Sequence, residues 1–159
     1  MADAKLNICL VCSHGGHLTE MLQLQDAFEG HDFFYFCYDA DTTRRLPRAY
    51  RVPNMGHNVV EFAKNLARAH AIFRKERPDL VVSTGAEIAL PVFFIAALLR
   101  IPRVYIECGA QVTTASFTGR ITYWLSHRFY VQWPELLRVY GPRARFDGSF
   151  IDEIGSAKL

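Results

Sequence analysis

The 159-residue chain is half hydrophobic and 13% aromatic with a mean hydropathy of +0.03, enough apolar material for one well-buried core and not for two. A charged fraction of 21% beside that apolar content excludes a disordered chain, and the longest uncharged apolar stretch, residues 88–99, is shorter than the roughly 20 residues a bilayer span needs. The net charge of +2 is uneven: residues 1–41 carry one basic against seven acidic side chains, and residues 42–77 nine against two, which makes the middle block a candidate contact for phosphate or an anionic surface.

The N-terminal residues Met1 to Lys5 contain no basic stretch leading into an apolar run, so no signal peptide is expected. A strand is predicted over 6–12, then a Gly-containing turn, a helix over 18–28, a strand over 33–38 and, after a polar loop, an extended piece over 49–52. A helix over 58–75 follows, stopped by Pro78, then a strand over 79–83, a wholly apolar helix over 89–99 and a strand over 103–107. A Gly/Thr/Ser loop over 109–118 leads into a helix ending near 127, a strand over 128–132, a short helix after Pro134 and a last short strand near Arg145. Strands alternating with helices predict an α/β fold, a Rossmann-like parallel sheet with flanking helices. Residues 1–148 are expected to form one domain, and 149–159 a tail whose Phe150, Ile151, Ile154 and Leu159 offer docking surface to a partner.

Cys9 and Cys12 lie in an alternating strand and point to opposite faces, so they suit neither a disulfide nor a metal framework. The cysteines are expected to be reduced, as in a cytoplasmic protein. On the 58–75 helix, Val59, Phe62, Leu66, Ala69 and Phe73 form an apolar stripe with Lys64, Arg68 and Lys75 opposite, either a solvated face or a contact for anionic lipid headgroups. The 88–99 segment is apolar on every side. It is either buried or rests an outer face, including Phe93 and Phe94, on a membrane or partner.

Three turns carry chemistry. Ser13-His14-Gly15-Gly16-His17 follows the first strand and opens a helix, where paired glycines allow close backbone approach and free amides favour an anion. The spacing is not that of the G-x-G-x-x-G dinucleotide fingerprint. His17 sits where the helix dipole opposes a positive ring, so it is either a general base for a sugar hydroxyl or a helix cap, with Glu20 closing a capping box. Ser83-Thr84-Gly85-Ala86-Glu87 ends another strand, either an ordinary turn or a second set of amides around a diphosphate. Glu107 ends a third, able to grip a sugar hydroxyl or to cap backbone amides, ahead of a loop bearing Thr113, Thr114, Ser116 and Thr118. Trp133 closes the next strand, to stack on a sugar ring or to fill the core.

Ser13 to Leu22, Ser83 to Pro91, Tyr105-Ile106-Glu107 and Val131-Gln132-Trp133-Pro134 together resemble the PssD/CpsF family of bacterial polysaccharide biosynthesis proteins. That family is similar to the membrane-recruiting subunit of the eukaryotic enzyme adding the second N-acetylglucosamine to a dolichol-linked sugar, and more distantly to the N-terminal domain of MurG. The resemblance implies the acceptor-binding half of an inverting GT-B glycosyltransferase. A separate PssE-like subunit would bind a UDP-sugar, and this chain a polyprenyl-diphosphate-linked saccharide, at the inner face of the cytoplasmic membrane during capsule or exopolysaccharide assembly. It further implies that Ser13, Gly15, Gly16, Ser83, Thr84 and Gly85 line the acceptor diphosphate site. His17 and Glu107 would serve catalysis and the acceptor sugar, with Glu20, Glu87, Thr113 and Thr114 near them. The eukaryotic subunit carries an N-terminal membrane helix not expected here, which leaves Lys64, Arg68, Lys75, Phe93 and Phe94 as the membrane contacts. No cofactor is expected, no nucleic-acid partner, and no metal, since no Asp-x-Asp motif or ligand cluster at metal spacing stands in the sequence. Two other readings stay open: a non-catalytic recruitment subunit, and a stand-alone nucleotide-sugar-binding domain.

Overall fold

The computed structural model describes residues 4–149. Seven strands, β1 (Asn7–Cys12), β2 (Asp32–Tyr38), β3 (Ala49–Val52), β4 (Leu80–Ser83), β5 (Arg103–Ile106), β6 (Arg128–Tyr130) and β7 (Ala144–Arg145), form one parallel sheet in the order β3-β2-β1-β4-β5-β6-β7. Every strand pair is parallel because a helix or long loop returns the chain between consecutive strands. The order reverses between β1 and β4, the switch point at which open α/β sheets bind ligands beyond the strands' carboxyl ends. The tail expected over 149–159 lies, beyond Ser149, outside the described residues.

The helices are α1 (Gly16–Gln23), α2 (Val59–Glu76), α3 (Ala89–Leu98), α4 (Phe117–Leu125) and α5 (Leu136–Tyr140). Alternation along β1 builds a core on each face of the sheet. Ile8, Leu10 and Cys12 pack with Leu18 and Met21 of α1, while Cys9 and Val11 pack with Ala69 and Phe73 of α2 and Val92, Phe93 and Ala96 of α3. Cys9 and Cys12 thus occupy opposite faces, and all four cysteines are free.

Several sequence expectations need correction. The helix predicted over 18–28 is two pieces, α1 and a 3-10 turn over Gln25–Phe28. α2 begins one residue later than expected, because Asn58 is its cap, accepting from the amides of Val60 (2.9 Å) and Glu61 (3.2 Å). Val59 is 78% exposed rather than part of the buried stripe, whose core side is Asn65, Ala69 and Phe73. The basic side chains opposite are engaged: Lys64 and Arg68 with Glu61, Arg68 also with Asn65, and Lys75 over the Tyr50 ring. The all-apolar α3 is mainly a core helix. Phe93 is fully buried against Tyr105, so it is not a surface contact; Phe94, Leu98 and Leu99 form the exposed edge. Among the described residues no helix is long and apolar enough to cross a membrane.

Candidate active site

The carboxyl ends of β1, β4 and β5 are neighbours, so the three turns singled out in the sequence meet at one place. Gly15 caps α1 with φ 71° and ψ −134°, a conformation that only glycine adopts cheaply, and its carbonyl accepts from the amide of Thr19 (3.0 Å). No side chain caps α1, so of the two alternatives for His17 and Glu20 the capping box is absent. Glu20 is drawn across the sheet instead, where its Oε1 accepts from the amide of Gly109 (2.9 Å) and approaches the Cys108 thiol (3.6 Å). Burial raises the Glu20 carboxyl above its ordinary range against these contacts, and burial likewise pushes the Cys108 thiol up to about 11.

His17 is tied twice to the β4–α3 turn. Its Nδ1 lies 2.9 Å from the Thr84 carbonyl, and its own carbonyl accepts from the Thr84 hydroxyl (2.7 Å). A carbonyl only accepts, so Nδ1 is the donor to Thr84, and in the neutral tautomer this leaves the lone pair on Nε2. Gly85, at φ +114°, lets the turn pass under the ring; a Cβ there would stand 2.9 Å from the His17 Cε1 and Nδ1 atoms. Ala86, next along, is also left-handed at φ 67°, a strained position for a residue other than glycine.

The hydroxyls expected to line a diphosphate site are used internally. Ser83 and Thr84 are fully buried, and the Ser83 hydroxyl accepts from the Gly85 amide (3.1 Å). The β4–α3 turn therefore positions His17, while the amides left without a side-chain cap are those of the α1 start. Ser13 is nearly buried, its hydroxyl directed to the His14 carbonyl (3.1 Å).

Glu107 resolves as the cap of backbone amides. Fully buried, its carboxylate accepts from the amides of Cys108 (3.0 Å) and Ser116 (3.3 Å), the Ser116 hydroxyl (2.9 Å) and the Tyr140 phenol. With four donors on two oxygens it has little capacity left for a sugar, so its place is to hold the β5–α4 loop. Trp133 pins the same loop, donating to the Gly109 carbonyl (2.6 Å), and packs partly buried on the core rather than facing a ligand. Thr113 and Thr114 are exposed on that loop and are not in the linings of the two cavities at His17 and Gly15. Glu87 stands at the rim and accepts from the Tyr38 hydroxyl (3.0 Å).

A cavity of about 490 Å³ opens over these turns, lined by His17, Gly56, His57, Ala86, Glu87, Glu107, Cys108, Ala110, Gln111, Ser116, Phe117 and Thr118. A second, of about 400 Å³, lies past Gly15 and is lined by Leu18, Thr19, Leu22, Asp41, Thr42 and Arg45. Arg44 is paired with Asp39 and Asp41, and Arg51 is spent on the carbonyls of Thr43, Arg44 and Leu46; Arg45 has no such engagement among the described residues. The sequence reading did not single out Arg45, His57, Gln111 or Phe117. The one signal for Arg45 was its place in the basic block, and Phe117, 73% exposed at the start of α4, is the aromatic that faces the cavity in place of Trp133.

The family described as oligosaccharide biosynthesis protein Alg14 like matches residues 41–150. The UDP-N-acetylglucosamine transferase subunit ALG14 of Yarrowia lipolytica is 31% identical over 113 residues, covering 67% of this chain and 52% of that protein. Among solved structures, Acinetobacter baumannii MurG superposes with a TM-score of 0.71 at 20% identity, covering 92% of this chain and 46% of that one. UDP-N-acetylglucosamine 2-epimerase from Rickettsia bellii superposes with a TM-score of 0.78 at 13% identity, covering 97% and 47%. The chain spans about half the length of each of these three, and the two structures share its fold. With the family match extending over more than half of the sequence, the chain belongs to the Alg14-like family of oligosaccharide biosynthesis proteins.

Proposed function

We propose that this chain is the acceptor-binding subunit of a two-component inverting GT-B glycosyltransferase, of the PssD/CpsF type, working with a PssE-like subunit that holds a UDP-sugar. The observation that carries the reading is the doubly anchored His17, whose Nδ1 is committed to Thr84 and whose Nε2 is left to accept a proton beside a sugar-sized cavity. The acceptor is a polyprenyl-diphosphate-linked saccharide of capsule or exopolysaccharide assembly. Its diphosphate lies at the uncapped start of α1, between Gly15, Gly16 and the Arg45 guanidinium. In the transfer, Nε2 takes the proton of the acceptor hydroxyl as that oxygen bonds to the anomeric carbon. The bond from that carbon to the donor's diphosphate oxygen breaks, and UDP leaves with the electron pair. The donor's wall of the cleft comes from the partner, and the Rossmann-like sheet of the described residues supplies the acceptor's wall. The subunit works at the cytoplasmic face of the membrane, with Phe94, Leu98 and Leu99 the apolar contact in place of buried Phe93.

The competing reading, recruitment of acceptor and membrane without chemistry, is favoured by the commitment of Glu107 to backbone and loop groups. His17→Ala separates the two in the assembled complex. A loss of at least ~100-fold in turnover with folding and association intact supports the base; near-normal turnover removes it.

A further inference from the structure

A ring nitrogen of His17, a carboxylate oxygen of Glu20 and the sulfur of Cys108 all lie within 4.8 Å of one another, brought together from α1 and the β5–α4 loop. The Cys108 sulfur and the nearer Glu20 oxygen, 3.6 Å apart, already stand at the separation that tetrahedral zinc imposes on sulfur and oxygen ligands, roughly 3.5 Å from the usual bond lengths. The outer contacts are those that orient metal ligands. His17 commits Nδ1 to the Thr84 carbonyl, and the Gly109 amide fixes Glu20 Oε1. The other Glu20 oxygen, Oε2, is buried in the neighbourhood of the Gln132 side chain, and no Lys or Arg pairs with this carboxylate among the described residues. A half-buried carboxylate beside a thiol and an imidazole, with no Lys or Arg against it, is a ligand set that a divalent cation can share.

We propose that His17 Nε2, the Glu20 carboxylate and Cys108 Sγ form a three-ligand site for a divalent cation of the zinc class, with its fourth position open to the cavity. The mixed nitrogen, oxygen and sulfur set selects zinc-like ions over magnesium or calcium, which take oxygen ligands. Residue spacing carries no hint of it, because Glu20 and Cys108 are 88 residues apart and only the adjacency of β1, β4 and β5 joins them. Occupation takes the Nε2 lone pair, so a bound cation and a base at His17 exclude one another. That consequence alone rests on the transfer reading; the site does not.

The test titrates the chelator-treated, reduced full-length chain with Co²⁺ and follows absorption. The expected result is one equivalent bound, with a thiolate-to-cobalt charge-transfer band that Zn²⁺ abolishes by displacement. Cys108→Ser, folded by circular dichroism, should lose the band, and Glu20→Gln should weaken cobalt binding at least about tenfold. No thiolate band at saturating cobalt overturns the site, as does an undiminished band in Cys108→Ser, which would assign it to Cys9, Cys12 or Cys37. If Cys108→Ser does not fold, Glu20→Gln decides: unchanged cobalt affinity in that folded variant overturns the proposal. Sugar transfer is not read in this experiment, so its outcome leaves the acceptor assignment untouched.

Discussion

Gly85→Ala is the sharpest probe of how the site is built. At φ +114° an alanine pays about 1–3 kcal/mol for a backbone conformation that L residues avoid. Its Cβ would also stand 2.9 Å from the His17 ring, which must then swing away and give up the bond from Nδ1 to Thr84, worth about 1 kcal/mol. The expected loss is about 2–4 kcal/mol, or a melting temperature lower by roughly 5–15 °C for a chain of this size. Gly30→Ala is the control, since Gly30 is also left-handed at φ +84° but has nothing within 4 Å of the added Cβ. Thermal melts of both variants, with nitrogen-15 spectra of the His17 imidazole, separate backbone strain from the ring contact. Equal melting of the two variants, together with an unchanged Nδ1-protonated ring in Gly85→Ala, would refute the reasoning.

Three further outcomes follow from named contacts. Gly119→Ala, which in an ordinary helix gains about 1 kcal/mol, should instead destabilise by about 1–3 kcal/mol because its Cβ would run into the Tyr140 hydroxyl and the Glu107 carboxylate; the urea midpoint reads the sign. Burial holds the Glu20 carboxyl above its unfolded value of about 4.3, so the folded state binds this proton more tightly, and the stability it brings is complete below that value and lost as pH rises through the folded one. Metal-free Glu20→Gln should therefore be more stable than wild type near neutral pH, with an advantage that shrinks on acidification; an advantage that is constant with pH would contradict this. On anionic liposomes, replacing Lys64, Arg68 and Lys75 together by Gln should cost less than about 1 kcal/mol per charge, because Lys64 and Arg68 are paired with Glu61 and Lys75 lies over Tyr50. Phe94→Gln with Leu98→Gln should reduce flotation more, and the reverse order would return the membrane contact to α2.

The fold was legible because its signals are local. β3 lies over the predicted 49–52, Pro78 ends α2 just after the left-handed Arg77 cap, and the alternation in β1 placed Cys9 and Cys12 on opposite faces. The three chemistry-bearing turns were legible too, since each is a Gly-containing or acidic strand end, and the sheet order places them side by side. What each side chain does there was not, because partners distant in sequence decide it. Glu20 left the capping box for Gly109, Glu107 was taken up by Ser116 and Tyr140, and Trp133 by Gly109. Periodicity also cannot orient a helix that is apolar all round, so Phe93 and Phe94 were grouped although α3 buries one and exposes the other.

The most direct measurement of the central claim is sugar transfer from radiolabelled UDP-sugars to a polyprenyl-diphosphate-linked saccharide, by the isolated chain and by the chain mixed with the proposed donor-binding subunit. In the proposed function the Rossmann-like sheet forms one wall of a two-domain cleft, with its Gly-rich turn and Arg45 at the acceptor's diphosphate. The account predicts no transfer by the isolated chain and sustained transfer by the mixture. Transfer by the chain alone at the rate of the mixture would contradict it.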